Sequence, residues 1–483
     1  MLQTMKNAWR TPDLRKKLIY VCFILVLYRI GTVIPVPFVD AGKFGQYFGG
    51  TILEYMDMLS GGSLFNSTLF ALGISPYITA SIIIQLLGVA FPRLAEWIKG
   101  QNGRNEMLTR YTTVGLSIIT GLGYYLLLER NSLISQQIVA MNSKFVDVLV
   151  AIVIISCYCA GASIVMWLGE KINENGIGNG ISLILFANII SSVPSTIIKL
   201  GNLVGYGING TAEGWAKAGY IAAAVGFALL MVAIAVLLTV FVIFITGSER
   251  RIPVTYAKRV VGRKMYGGQS TNLPIKLNMT GVMPVIFASS IISLVPTILT
   301  LCGVTARSSY ADCKTFWEKM NLFLSADRWF YPVFLFVLII AFSYFYASIS
   351  FNTVEVSNNL KKNGGMIPGI RQGRPTSDFI SAVVKKVTLV GALFLGVIAV
   401  LPIIASPLAL KPIVSFILEN DPTLAFYKAY AMYYGDVFGQ YVSSYTSALS
   451  FGGTSLLIVV GVVQETFREL EAQLTMRNYK GFL

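Results

Sequence analysis

The chain has 483 residues, of which 55% are hydrophobic and only 13% charged, too apolar to cover its own surface in water. A bilayer is the solvent that fits. It carries a net charge of +15 and no histidine, which excludes histidine-based triads, HExxH metal sites and histidine proton relays. The five cysteines (Cys22, Cys157, Cys159, Cys302, Cys313) have neither redox-pair nor zinc spacing.

Residues 1–17 are polar and basic, with Lys6, Arg10, Arg15, Lys16 and Lys17. The apolar run 18–36 ends in no small-residue cleavage site, which predicts a retained first span. Arg29 lies inside it and is expected to snorkel or to pair locally. Segment 51–65 (TILEYMDMLSGGSLF) is too short and polar to span. It predicts either a short helix that packs against or re-enters the outer face, or an ordinary amphipathic surface helix.

Further spans are expected over 68–90, 111–129, 146–168, 179–199, 219–246, 277–301, 330–350, 387–405 and 450–465. The segments 179–199 and 450–465 contain polar residues, as helices along an aqueous path would. Ten spans put both termini on one side. Most of the 38 Lys and Arg residues fall on that side, whereas the opposite loops are nearly balanced, so both termini are expected in the cytoplasm. The basic loops 247–276 and 351–386 are long for connectors and contain Tyr256, Pro274, Pro368 and Gly369. They predict docking surfaces for an acidic partner, RNA included, beyond orientation by charge alone.

Gly176-Ile-Gly-Asn-Gly180 lacks the lysine and the preceding strand of a phosphate loop, and predicts a turn that ends one helix and starts another. Glu170 and Glu174 are expected at a solvated helix end. No Asp or Glu lies near the middle of a span, which weakens a coupled transporter. A secondary transporter of a small solute remains the alternative, because broken helices suit it too. A membrane-embedded enzyme would need a nucleophile or metal set at bilayer depth, and no enzymatic activity or cofactor is expected.

The string FALGISPYITASIIIQLL from Phe70 to Leu87 resembles the second-helix signature of the SecY/Sec61-alpha family. Matches follow in the family's order: Trp167 to Ile172, Gly176 to Ile181, Tyr256 to Arg259, Leu277 to Pro284 and Phe287 to Ser290. Asn358 to Lys362, Ile367 to Arg371 and Phe451 to Ile458 complete the set. The resemblance runs from Arg29 to the tail.

It implies an all-α polytopic fold, ten transmembrane helices in two inverted five-helix halves forming a clamshell channel. The halves would be 1–205 and 206–483. No internal repeat is evident in the sequence, so that symmetry is implied by the resemblance alone. The implied function is a protein-conducting channel that passes unfolded secretory polypeptides and releases hydrophobic segments laterally into the bilayer.

The implied pore ring is Ile74, Ile78, Ile181, Leu185, Ile286 and Ile458, with Leu185 standing where isoleucine is common in the family. Branched aliphatic side chains seal against ions and do not hydrogen-bond a passing chain. The implied plug covers about 53–66, with Leu53, Glu54, Tyr55, Met56, Asp57, Met58, Leu59, Ser60, Gly61 and Gly62. Thr79, Gln85 and Asn278 match polar positions along the lateral gate. Tyr256, Lys258, Arg259, Arg263, Lys264 and Arg371 match docking positions for a motor or ribosome. Implied partners are SecE and SecG, the SecA ATPase, the ribosome, secretory preproteins with their signal sequences, and membrane lipids, at the bacterial plasma membrane. The outer loops 303–328 and 406–448 are longer than the family's pattern and receive no role.

Overall fold

The structure is a computed structural model that describes residues 2–39, 57, 60–99, 104–134, 144–209, 214–256, 259–261, 264–266, 270–302, 304, 315–324, 330–405, 408, 410–418, 439, 442, 445–446 and 453–480. A short amphipathic helix α1 (Leu2–Arg10) leads into α2 (Pro12–Gly31), which starts with Pro12 in its first turn. Then come α3 (Ser75–Ala90), α4 (Pro92–Lys99), α5 (Arg104–Arg130), α6 (Lys144–Asn175), α7 (Gly180–Asn209) and α8 (Gly214–Gly247). After a strand-rich loop follow α9 (Met283–Leu301), α10 (Phe316–Phe323), α11 (Phe330–Ser350), α12 (Thr353–Lys362), α13 (Arg374–Ala405), α14 (Lys411–Leu418) and α15 (Gly453–Lys480).

Each of the ten expected spans is occupied by a helix. Six of these helices (α5, α6, α7, α8, α11 and α13) are long and apolar enough to cross a bilayer. Helices α3 and α9 are shorter than expected. Residues 69–74 and 279–282 are turns and bends instead of the first turns of the helices. The cause is the same in both places. Gly73 (φ +55°) and Gly281 (φ +64°) take a left-handed conformation that stops a helix from running through, and a proline three residues on fits the first turn of the new one.

This reveals a repeat that a scan for long similarity passes over. Gly73-x-x-Pro76-x-Ile78-x-Ala80-Ser81 recurs as Gly281-x-x-Pro284-x-Ile286-x-Ala288-Ser289. A second pair follows in the same order, Gly180-x-Ser182-Leu183 at the start of α7 and Gly453-x-Ser455-Leu456 at the start of α15.

The basic loops contain strands, a departure from a purely helical reading. Strands β1 (Glu249–Tyr256) and β4 (Ser270–Lys276) pair antiparallel, with Glu249 opposite Lys276 and Thr255 opposite Ser270. Strand β5 (Gly365–Met366), from the other basic loop, adds to the free edge of β1 at Thr255 and Tyr256. Pro253, which has no N–H, is tolerated in β1 because β5 stops short of it. Strands β2 (Arg259–Val261) and β3 (Lys264–Tyr266) form a separate hairpin. Ile252, Val254 and Ile275 pack beneath the three-stranded sheet against Ile367, Ile380 and Val384. The two loops are therefore one folded platform seated on α13.

At the opposite face, α14 and residues 442 and 445 pack on the end of α7 and the start of α8. Tyr220 stacks on Phe416 at 4.6 Å, and Tyr206 meets Tyr445 edge-on. Part of the long loop 406–448 thus packs on the end of α7 and the start of α8.

Candidate functional site

The largest buried cluster runs through the middle of the helix bundle and draws on α2, α3, α6, α7, α8, α9, α11, α13 and α15. Ile74, Ile78, Leu185, Ile286 and Ile458 all belong to it, and Ile181 packs half-buried against it. The six expected ring positions are therefore brought together. Ile74 is the N-cap of α3, not part of its first turn. It still stacks under Ile78, because the Ile78 N–H donates to the Ile74 carbonyl at 3.1 Å. Val282 and Ile286 repeat that arrangement at the start of α9, with the Ile286 N–H on the Val282 carbonyl at 3.2 Å.

Val282 is 2% exposed and joins the same buried cluster, a position that sequence reasoning missed. The repeat around Gly73 and Gly281 is the signal that finds it. Gly461 makes room for it, since a Cβ there would lie 2.1 Å from a Val282 methyl. Branched aliphatic side chains such as these offer no foothold to water or ions.

The turn 176–180 behaves as expected. Gly180 N–H donates to Asn173 Oδ1 at 2.7 Å, and Asn179 Oδ1 accepts from Ile181 N at 3.0 Å as the cap of α7. A Cβ on Gly180 would strike the Gly169 carbonyl oxygen at 2.0 Å, so only glycine lets α6 and α7 meet there. Glu170 is not simply a solvated helix end. Its two oxygens take the Arg110 guanidinium side-on, Nε and Nη2 each at 2.9 Å, tying α5 to α6. Glu174 pairs locally with Lys171.

The seam between α3/α5 and α9/α11 is closed. Tyr346 on α11 donates its hydroxyl to Gln85 Oε1 on α3 at 2.6 Å, and Gln85 Nε2 donates to Ser81 Oγ at 3.0 Å. The Tyr346 ring packs on Phe287 of α9 at 5.0 Å. At the far end, Arg130 in the last turn of α5 donates to the Cys302 carbonyl just beyond α9, at 2.9 Å. Tyr346 and Arg130 are seam residues that the sequence does not single out, because each bonds a residue far away in the chain.

Gln85 stands at the seam as expected. Thr79 is half-buried on α3. Asn278 lies before α9, where it lines a small cavity with Thr280, Ser343 and Thr388.

Of the expected plug, Leu53, Glu54, Tyr55, Met56, Met58 and Leu59 lie outside the described residues. Asp57 and Ser60 to Gly62 begin a tightly bonded loop. Asp57 Oδ1 accepts from Phe65 N at 2.9 Å, the Asp57 carbonyl from Gly62 N at 2.9 Å, and the Ser60 carbonyl from Ser63 Oγ at 2.8 Å. The loop leans on the chain after α2 through Val36 N to the Ser67 carbonyl and Leu69 N to the Ile34 carbonyl.

Among the docking residues, Lys258 and Arg263 lie outside the described residues, while Arg259 begins β2 and Lys264 begins β3. Tyr256 is half-buried against the platform core. Arg371 is exposed on a rigid turn whose carbonyl accepts from Thr376 Oγ1 at 2.8 Å. At the root of the platform, burial pulls the Lys276 ammonium below its ordinary range, with the nearby Arg468 adding to the effect.

Helix α15 ties the face that carries both terminal helices. Glu469 Oε2 accepts from Gly178 N at 2.7 Å, while Arg468 Nη2 donates to the Thr246 carbonyl at the end of α8, at 2.6 Å. Thr4 of α1 donates to Glu471 Oε1 at 3.2 Å.

A family model described as SecY matches residues 68–467. A protein translocase subunit SecY from Streptomyces galbus is 40% identical over the full length of both chains. A solved structure of a protein-conducting channel superposes with a TM-score of 0.55 at 17% identity, covering 94% of this chain and 91% of that one. Sec61 from a canine ribosome-channel complex of the endoplasmic reticulum gives 0.52 at 17% identity, with the same coverage. The two structures share the fold.

Proposed function

This chain belongs to the SecY family, and from that premise we propose that its aliphatic constriction is the resting seal of a protein-conducting channel. The observation that carries the reading is the convergence of Ile74, Ile78, Ile181, Leu185, Ile286 and Ile458 on one buried cluster. An unfolded chain passes between these side chains, which close around it without binding it. A sufficiently apolar segment leaves sideways between α3/α5 and α9/α11 by replacing the Tyr346–Gln85 and Arg130–Cys302 bonds with lipid-facing surface.

The halves are 1–205 and 206–483. The two duplicated patterns, one copy of each on either side of that division, support this. Residues about 53–66 plug the pore at rest. The chain spans the plasma membrane several times with both termini in the cytoplasm, a reading supported by the positive charge of the loops on that side. The chain itself catalyses no bond chemistry. Force comes from a motor ATPase of the SecA kind or from a translating ribosome docked on the basic platform, and SecE and SecG complete the complex. The placement of Arg371 at an exposed, rigid turn supports that docking role.

Site-specific crosslinking from residue 78 to a stalled secretory chain tests the reading. Crosslinks at 78 and 286, with none from exposed Leu237 of α8, are expected. Equal labelling at all three positions would remove the pore assignment.

A further inference from the structure

Arg29 is a charged residue inside a spanning segment, a placement that is costly unless the charge has a task. It sits in the last turn of α2 and donates Nη1 to the Gly61 carbonyl at 3.5 Å. A Cβ built on Gly61 would lie 2.8 Å from Arg29 Nη1, 2.9 Å from Asn188 Oδ1 and 3.0 Å from Ser191 Oγ. Three polar side chains from two helices, α2 and α7, therefore surround one main-chain position of the loop that begins at Asp57.

Asn188 is fully buried beside the Tyr28 hydroxyl, and Ser191 Oγ is oriented by its own bond to the Asn188 carbonyl at 2.6 Å. The loop is bonded internally from Asp57 to Thr68, so holding Gly61 holds the whole turn.

We propose that Arg29, Asn188 and Ser191 are positioning residues that clasp the plug by the Gly61 backbone and so set the closed state of the channel. This rests on the reading of 53–66 as the plug. The clasp grips main chain, and it works only with glycine there. Gly61 has φ +70°, and any side chain would occupy the space that the three polar groups enclose. Release does not strand the charge. Arg29 in the last turn of α2 still faces that helix's own C-terminal carbonyls, which favour a cation. The plug thus has a held state and a tolerable released state.

The test uses the complete translocase complex in planar bilayers, read as resting ion conductance and as conductance opened by a preprotein. Arg29→Gln is expected to raise the resting conductance about tenfold or more, the scale of one lost charge-assisted bond. Gly61→Ala should do the same, and Ser191→Ala should give a smaller rise. Asn188→Asp sets a carboxylate beside Arg29 and should lower resting openings and slow export. In every case the unit conductance opened by preprotein stays at the wild-type value. Wild-type resting conductance in both Arg29→Gln and Asn188→Asp would overturn the clasp. Should Arg29→Gln not assemble, Asn188→Asp and Ser191→Ala decide by the same criterion. A wild-type complex that neither seals at rest nor opens with preprotein would instead remove the channel reading itself.

Discussion

The hydroxyl of Tyr346 reaches Gln85 Oε1 at 2.6 Å, joining two helices whose residues are far apart in sequence but face each other across the seam. A net hydrogen bond of this kind contributes about 0.5–1.5 kcal/mol. That is enough to move a gate equilibrium by a factor of about 2–10.

Tyr346→Phe keeps the ring on Phe287 and removes only that bond. The expected outcome is a gate that accepts weaker signals. A series of reporter preproteins with graded signal hydrophobicity measures it, and the threshold for export should fall. Gln85→Leu should act in the same direction. An unchanged threshold in both variants would show that the bond does not hold the gate.

In the proposed channel, Ile78 and Ile181 would seal by shape. Replacing both with glycine removes two branched side chains from the constriction, and the resting complex should then pass small ions. Ile78 is 4% exposed, so truncation also costs stability, on the order of 2–5 kcal/mol for a buried isoleucine cut to alanine. Conductance and thermal unfolding are therefore read together. A leak with the complex still assembled supports the seal, and an intact seal counts against it.

Ten helical segments and six aliphatic positions of one buried cluster were legible in the chain because hydropathy and the motif strings are local signals. The starts of α3 and α9 were not, since a proline after an apolar stretch reads equally as the second turn of a longer helix. It takes the left-handed Gly73 and Gly281 to settle the boundary. The platform was half legible. Its charge is local, but the β1–β5 pairing joins residues in two different loops, and nothing in either loop alone announces it. Tyr346 and Arg130 were missed for that same reason, since their partners are set by packing across the bundle, whereas Val282 is found only through the short repeat around Gly73 and Gly281. The motif named Asn278, but its neighbours Ser343 and Thr388 come from other helices and are visible only in the fold.

Arg371 offers a test of the platform. Its turn is held by Thr376 Oγ1 on its carbonyl and by Gln372 Nε2 on the Gly365 carbonyl at 3.2 Å, so a side-chain change leaves the turn in place. Arg371→Glu should impair motor-driven export of soluble preproteins at least severalfold and affect ribosome-coupled membrane integration less. A comparison of the two pathways in inverted vesicles checks this. Equal and full activity in both would remove Arg371 from docking.

Neighbouring residues of α15 hold opposite sides of the same face. Glu469 accepts from Gly178 N at the α6–α7 turn, whereas Arg468 donates to the Thr246 carbonyl at the end of α8. The first is a carboxylate on a backbone N–H beside a helix N-terminus, and the second is a cation on a helix C-terminus, so both act with the helix dipoles. Glu469→Ala leaves the Gly178 N–H without its acceptor, a loss of about 1–3 kcal/mol if it stays shielded from water. The expected result is a fall of several degrees in the apparent unfolding temperature of the purified complex. Glu469→Gln, which keeps an oxygen acceptor, should recover most of it. Arg468→Ala should give a loss of similar size. Because the two bonds share one helix segment, the double variant should lose less than the two single losses added together. Strict additivity would mean that the α6–α7 turn and the end of α8 are held independently, not braced together by α15.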